Sequence, residues 1–212
     1  GVPRRTFVRR PSLEYTRGME TRGTSALKAK ERYTYKDLCS WPEGERWELI
    51  DGEAFAISTA PKRNHQKVVG KLFAQLEAFF DGKPCEPYIS PLDVYLPNKD
   101  WKGDTLEDIS DVVQPDLAVV CDPGKLIDEG ILGAPDFIIE ILSPSSAYRD
   151  LTEKRKLYET YAVREYWVVN PDTLELQIYS LSGAAYGLPR AANLESPVPV
   201  GIFGGLSLRI AP

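Results

Sequence analysis

Gln114-Pro115-Asp116-Leu117-Ala118-Val119-Val120 and, after a loop, Asp136-Phe137-Ile138-Ile139-Glu140-Ile141-Leu142 decide how this chain is read. Each is a short apolar run rich in β-branched residues, bounded by proline or glycine, with a carboxylate set into it. The pattern predicts two strands buried on both faces. A carboxylate in such a strand carries a large desolvation cost unless a positive group sits against it. Alternation along the second run places Asp136, Ile138, Glu140 and Leu142 on one face and Phe137, Ile139 and Ile141 on the other. Asp116 opens the first run directly after a proline. If the two strands are antiparallel neighbours, Asp116 and Glu140 come within reach of one hard cation such as Mg²⁺, which prefers oxygen ligands. The plainer alternative is that Asp116 caps a turn and Glu140 pairs with an internal lysine or arginine.

Downstream, Ser143-Pro144-Ser145-Ser146 breaks the backbone, and a helix is predicted from about Leu151 to Ala162. On a helical wheel Leu151, Leu157, Tyr158, Tyr161 and Ala162 share a face with Lys154 at its centre, while Lys156 points away. A lysine so placed either snorkels out along its stem or meets a buried acid, and Glu140 is close in sequence. Glu165-Tyr166-Trp167-Val168-Val169 and Leu174–Tyr179 predict a hairpin about Asn170-Pro171-Asp172, with a further short strand at Ser207–Ile210.

Upstream, Thr34 caps a short helix through Leu38. Trp47–Ile50, Asp51-Gly52 and Glu53–Ile57 predict a hairpin with a type I′ turn. Glu48 in its first strand is a further candidate acid, or a hairpin surface glutamate. A helix runs from about His65 to Phe80, with Asn64 able to cap it and Gly82 ending it; Val68, Leu72, Leu76 and Phe79 form its apolar face, Val69 and Phe80 its edge. His65, the only histidine, is either a satisfied, partly buried imidazole or a polar group lining a cleft. Tyr88–Leu96 is an extended run bent at Pro91. Asn98–Asp111 is a long polar loop whose acids (Asp104, Glu107, Asp108, Asp111) are expected to be solvated.

The 212 residues suit one globular domain with an appendage. No apolar run is long enough to span a membrane, and no secretory signal opens the chain. Three cysteines, Cys39, Cys85 and Cys121, lie far apart, which predicts free thiols in a reducing, cytoplasmic compartment. A single histidine argues against a His-rich zinc site. The net charge is −5 for the whole chain and +6 for residues 1–32 alone, which leaves −11 on the remainder. An acidic body is a poor non-specific binder of nucleic acid, whereas a basic arm can assist one. The arm is read as a flexible, solvated segment over 1–32, and 33–212 as a single domain. Met19, the sole methionine, is a candidate natural start.

Taken together, Trp47-Glu48-Leu49-Ile50-Asp51-Gly52-Glu53, His65 opening a helix, Gln114-Pro115-Asp116-Leu117, Ile139-Glu140-Ile141-Leu142-Ser143-Pro144-Ser145, Asp150, Lys154–Tyr158 and Glu165-Tyr166-Trp167-Val168-Val169 resemble a bacterial restriction-endonuclease-like family of the PD-(D/E)XK nuclease superfamily. The resemblance covers about residues 33–180 in order and at similar spacing. It implies an α/β, restriction-endonuclease-like core: a mixed central β-sheet flanked by helices, with extra N-terminal hairpin strands. It also implies a metal-dependent DNA endonuclease using Mg (or Mn). In that pattern Asp116 is the aspartate of the "PD" element, Glu140 the second acid and Glu48 an extra acid, all three candidate metal ligands. The lysine expected two residues after Glu140 is replaced by Leu142, and Lys154 fits a lysine delivered from the following helix. His65 is a candidate phosphate contact. A homodimer cutting both strands of DNA is implied as well. The competing expectations are a catalytically inactive nuclease-fold module that binds DNA or a protein partner, and a hydrolase acting on a small phosphorylated compound.

Overall fold

A computed structural model describes residues 32–42, 44–57, 62–103 and 105–210. The basic arm through residue 31, with Met19, and Asp104 lie outside the described residues. Thr34 precedes α1 (Tyr35–Cys39), and the Asp37 carboxylate accepts its backbone N–H at 2.8 Å. Next come β1 (Trp47–Ile50) and β2 (Glu53–Ala56), joined through Asp51 and Gly52 at φ 50° and 73°. Two successive left-handed residues are what a type I′ turn requires.

The long helix, α2 (Arg63–Phe80), starts two residues earlier than expected. Asn64 does not cap it. Its side-chain amide donates instead to Pro171 O at 2.6 Å and to Asp172 Oδ1 at 3.0 Å, tying the helix start to a distant turn. The buried face is Val68, Val69, Leu72, Leu76 and Phe80, whereas Phe79 is only partly buried. The extended run around Pro91 is two strands in two different sheets, β3 (Glu86–Ile89) and β4 (Asp93–Tyr95). A proline in mid-run removes a ladder donor, and the chain changes sheet there.

The remaining elements, in order, are β5 (Val112–Val113), β6 (Leu117–Val120), β7 (Leu126–Ile127), β8 (Gly130–Leu132), β9 (Phe137–Ile141), α3 (Ala147–Arg149), a π-helical turn (Asp150–Lys154) and α4 (Arg155–Thr160). They are followed by β10 (Glu165–Val169), β11 (Glu175–Ser182), β12 (Ala185–Tyr186), β13 (Arg190–Asn193), β14 (Val198–Pro199) and β15 (Ser207–Leu208). One sheet has the order β12-β11-β10-β9-β6-β3, with β13 added on β11; a second has the order β2-β1-β5-β4-β8-β7. The predicted helix 151–162 is therefore three pieces that begin at Ala147.

The larger sheet is apolar on both faces, as its sequence pattern requires. Leu117, Val119, Phe137, Ile139, Trp167 and Val169 pack against α2 and the C-terminal segment. Ala118, Val120, Ile138, Tyr166 and Val168 pack on the other side against α4 and the smaller sheet. Each fully buried aliphatic side chain contributes about 1.5–3 kcal/mol. Among the described residues no helix is long and apolar enough to cross a membrane.

Two expectations are corrected. Cys85 and Cys121 are not free thiols but a disulfide; only Cys39 is free, and it is exposed. The register Glu86↔Val120 of the antiparallel β3–β6 pair sets the two cysteines opposite each other one step further on. Asp111 is not solvated but 7 % exposed, accepting the Asp51 N–H and the Tyr161 hydroxyl.

Candidate active site

Strands β6 and β9 are antiparallel neighbours with Leu117 opposite Ile139, so Asp116 falls across from Glu140 on the same face. The Asp116 Oδ2 accepts the Ile141 N–H at 2.8 Å, and the Asp116 N–H reaches Glu140 Oε2 at 3.3 Å. His65, at the first turn of α2, places Nε2 at 3.2 Å from Asp116 Oδ2. The helix start that the Asn64 clamp holds thus delivers the imidazole to this end of the sheet.

Strands β9 and β10 are parallel, with Val168 opposite Glu140, and parallel neighbours need a crossover. The helical segment 147–160 is that crossover, and it lies on the Glu140 face of the sheet. Lys154 Nζ stands 2.8 Å from Glu140 Oε1 and 2.6 Å from Glu48 Oε1. One helical turn further, the Tyr158 hydroxyl donates to the same Glu140 oxygen at 2.9 Å. Of the two fates open to Lys154, the structure has the buried ion pair.

Glu48 arrives from the smaller sheet. The β1–β5 pairing, Leu49 opposite Val112, brings it beside Gln114, whose backbone N–H donates to Glu48 Oε1 at 2.9 Å. The Gln114 side chain is in turn held between Arg46, at 2.9 Å from its Nε, and Asp93, at 2.7 Å. Arg149 Nη1 lies 3.6 Å from Glu48 Oε2, and its guanidinium rests 4.4 Å from the Phe55 ring centre.

Burial pushes the Glu140 carboxyl well above the usual range despite the Lys154 charge beside it, and Asp150, Asp116 and Glu48 push the same way. Burial, again opposed by Lys154, raises Asp150 to about 6. For Lys154 burial works downward, but the charges of Glu140 and Glu48 prevail and hold the ammonium protonated. His65 follows the same logic: burial lowers its pKa, the Asp116 hydrogen bond and charge outweigh it, and the net shift is upward. The cluster is short of positive charge.

These groups line one cleft of about 560 Å³, together with Arg46, Lys62, Gln66 and Ser143. Among the described residues no three carboxylate, imidazole or thiolate groups form a ready-made cation cage. The Lys154 ammonium lies between two of the carboxylates. The donor set nevertheless suits a hard divalent cation: oxygen ligands predominate, and four acids, Glu48, Asp116, Glu140 and Asp150, meet two cations, Arg149 and Lys154, and the His65 ring.

Residues 33–211 match the family described as "Uma2: Putative restriction endonuclease". The chain belongs to the Uma2 family. It is 26 % identical over 147 residues to the Synechocystis sp. protein "Uncharacterized protein slr1290", covering 68 % of this chain and 72 % of that one. Its fold is similar to a crystal structure from Anabaena variabilis ATCC 29413 described as "a putative nuclease belonging to DUF820", with TM-score 0.64 and 18 % identity over 83 % of this chain and 94 % of that one. The restriction-endonuclease-like core is therefore the observed fold, and the Uma2 family membership supports a nuclease.

In this Uma2 chain Glu48, Asp116, Glu140 and Lys154 converge, with His65 against Asp116. Sequence reasoning gave no role to Arg149, Asp150, Tyr158 or Gln114. Asp150, Lys154 and Tyr158 fall at intervals of four; Tyr158 already shares the Lys154 face on the wheel, and extending that face one turn back reaches Asp150. Gln114 and Arg46 carried no local signal, because their roles depend on how the smaller sheet pairs.

Proposed function

We propose that this chain is a divalent-metal-dependent endonuclease that hydrolyses phosphodiester bonds of DNA. The observation carrying that reading is the convergence, in one cleft, of Glu48, Asp116, Glu140 and Lys154, drawn from two sheets and a crossover helix. Asp116 and Glu140 would hold Mg²⁺ (or Mn²⁺), with Glu48 at the margin of its shell. The ion would supply polarisation of the phosphoryl oxygens and a bound water of lowered pKa. Lys154, kept protonated by its neighbours, would neutralise charge on the pentacovalent phosphorus. His65 would orient Asp116 through Nε2 and offer its ring edge to a phosphate. A homodimer would bring two such clefts to the two strands of a duplex, and light scattering reads that state directly.

Nicking of supercoiled plasmid in the presence and absence of Mg²⁺ tests the reading. Asp116→Ala, Glu140→Ala and Lys154→Ala should each cut at least about 10²-fold more slowly than the parent while keeping its circular dichroism spectrum. Full-rate cutting by Asp116→Ala would reject the assignment. A second reading is a non-catalytic nuclease-fold module that binds a protein partner or DNA, and the −11 charge outside the basic arm favours the protein partner. Under that reading Mg²⁺ would not stabilise the parent, whereas the enzyme reading expects a stabilisation that Asp116→Asn lacks.

A further inference from the structure

Three buried side-chain atoms among the described residues have no hydrogen-bond partner: His65 Nδ1, Arg149 Nε and Asp150 Oδ1. All three residues line the cleft of Glu140 and Lys154. Buried polar atoms are nearly always partnered, so their concentration in one place marks where something polar belongs. Asp150 is the most demanding of the three. It is 1 % exposed, and a buried carboxylate oxygen left alone costs more than a neutral group would.

Lys154 does not answer that need. Its ammonium is engaged with Glu48 and Glu140, and Asp150 Oδ1 lies 3.9 Å away, beyond a hydrogen bond. The backbone adds an independent sign. Asp150–Lys154 is a π-helical turn, and its two buried residues are Asp150 and Lys154 themselves. Such widened turns interrupt α-helices as single turns and are frequent at functional sites. Four carboxylates, Glu48, Asp116, Glu140 and Asp150, thus share the cleft; the cations within ion-pair distance of them are Lys154 and Arg149, plus His65 when protonated, while Arg46 and Lys62 line it further out. An oxygen-only surplus of that kind is what a hard divalent cation offsets.

We propose that Asp150 is a further carboxylate of the cation site, presenting Oδ1 to the divalent ion that Asp116 and Glu140 hold. The inference rests on the metal-dependent reading above. Titration calorimetry with MnCl₂ on the metal-free full chain tests it, without reference to cleavage. The parent should bind Mn²⁺ and Asp116→Asn should not. Asp150→Asn, nearly isosteric, should bind about 10-fold more weakly or worse, with a metal-free melting temperature at or above the parent's. Asp150→Ser serves as the second uncharged variant should the asparagine protein not fold. If the parent binds Mn²⁺ and both Asp150 variants bind it equally well, Asp150 is not a ligand and this inference fails alone. If the parent binds no Mn²⁺, the metal-dependent reading and this inference fail together.

Discussion

Lys154 is the residue on which the interior electrostatics turn. Its single ammonium bridges two carboxylates from different sheets, so truncating it takes the charge partner from buried Glu140 and leaves Glu48 only the Arg149 guanidinium at 3.6 Å. Lys154→Met should cost about 3–5 kcal/mol in urea unfolding at neutral pH. Adding Glu140→Gln to that variant should recover part of the loss, and the double-mutant cycle reads the coupling directly. Asp111 supplies a separate test away from the cleft. Burial raises its pKa above the ordinary aspartate value, the Asp51 N–H and Tyr161 hydroxyl only partly opposing it. The folded state therefore holds that proton more tightly than the unfolded one. Its contribution is fully present below the unfolded pKa and is lost as pH rises through the folded pKa. The melting temperature of the parent relative to Asp111→Asn should accordingly fall as pH is raised from the acid side through that range; a constant difference would show that Asp111 titrates normally.

At the level of elements, the two carboxylate-bearing strands were legible because both periodicity and composition point to double-sided burial. Their antiparallel pairing was not legible from local pattern, and the site depends on it. The crossover helix was read through its wheel, which found Lys154; its three-piece backbone was missed because no sequence signal distinguishes a π turn from an α turn. Beyond its predicted β1–β2 hairpin, the smaller sheet was the least visible element. Its strands are as short as two residues, too short to display a period, and they form only because β1, β4 and β8 find partners far along the chain. The Cys85–Cys121 bridge was hidden for the same reason, since it follows from the β3–β6 register rather than from cysteine spacing. Closing a loop of 36 residues, it should stabilise the oxidised chain by about 3–4 kcal/mol on chain-entropy grounds. Replacing both cysteines by serine should lower the urea midpoint accordingly; an unchanged midpoint would show that the bridge contributes little.

For the whole molecule, charge is the organising quantity. The acidic remainder and the basic arm act in opposite senses on a polyanion, so under the proposed nuclease function the arm would supply the non-specific DNA affinity. We propose that residues 33–212 fold without it. Arg32 pairs with Asp51 at 2.8 Å at the surface, and the Tyr33 N–H bonds Gly52 O at 2.7 Å, so a truncation should begin at Arg32. That shortened chain should melt within about 2 °C of the parent, a surface-scale effect. Its DNA affinity should drop, and the dependence of that affinity on salt should flatten. Equal salt slopes for the two chains would remove the arm from the interaction.

The crossover geometry has one more consequence. Leu142 follows Glu140 at the next position on the same side of β9, and Lys154 descends onto that side from above. An amine rooted in the strand and an amine rooted in the helix can therefore arrive at one destination from two addresses.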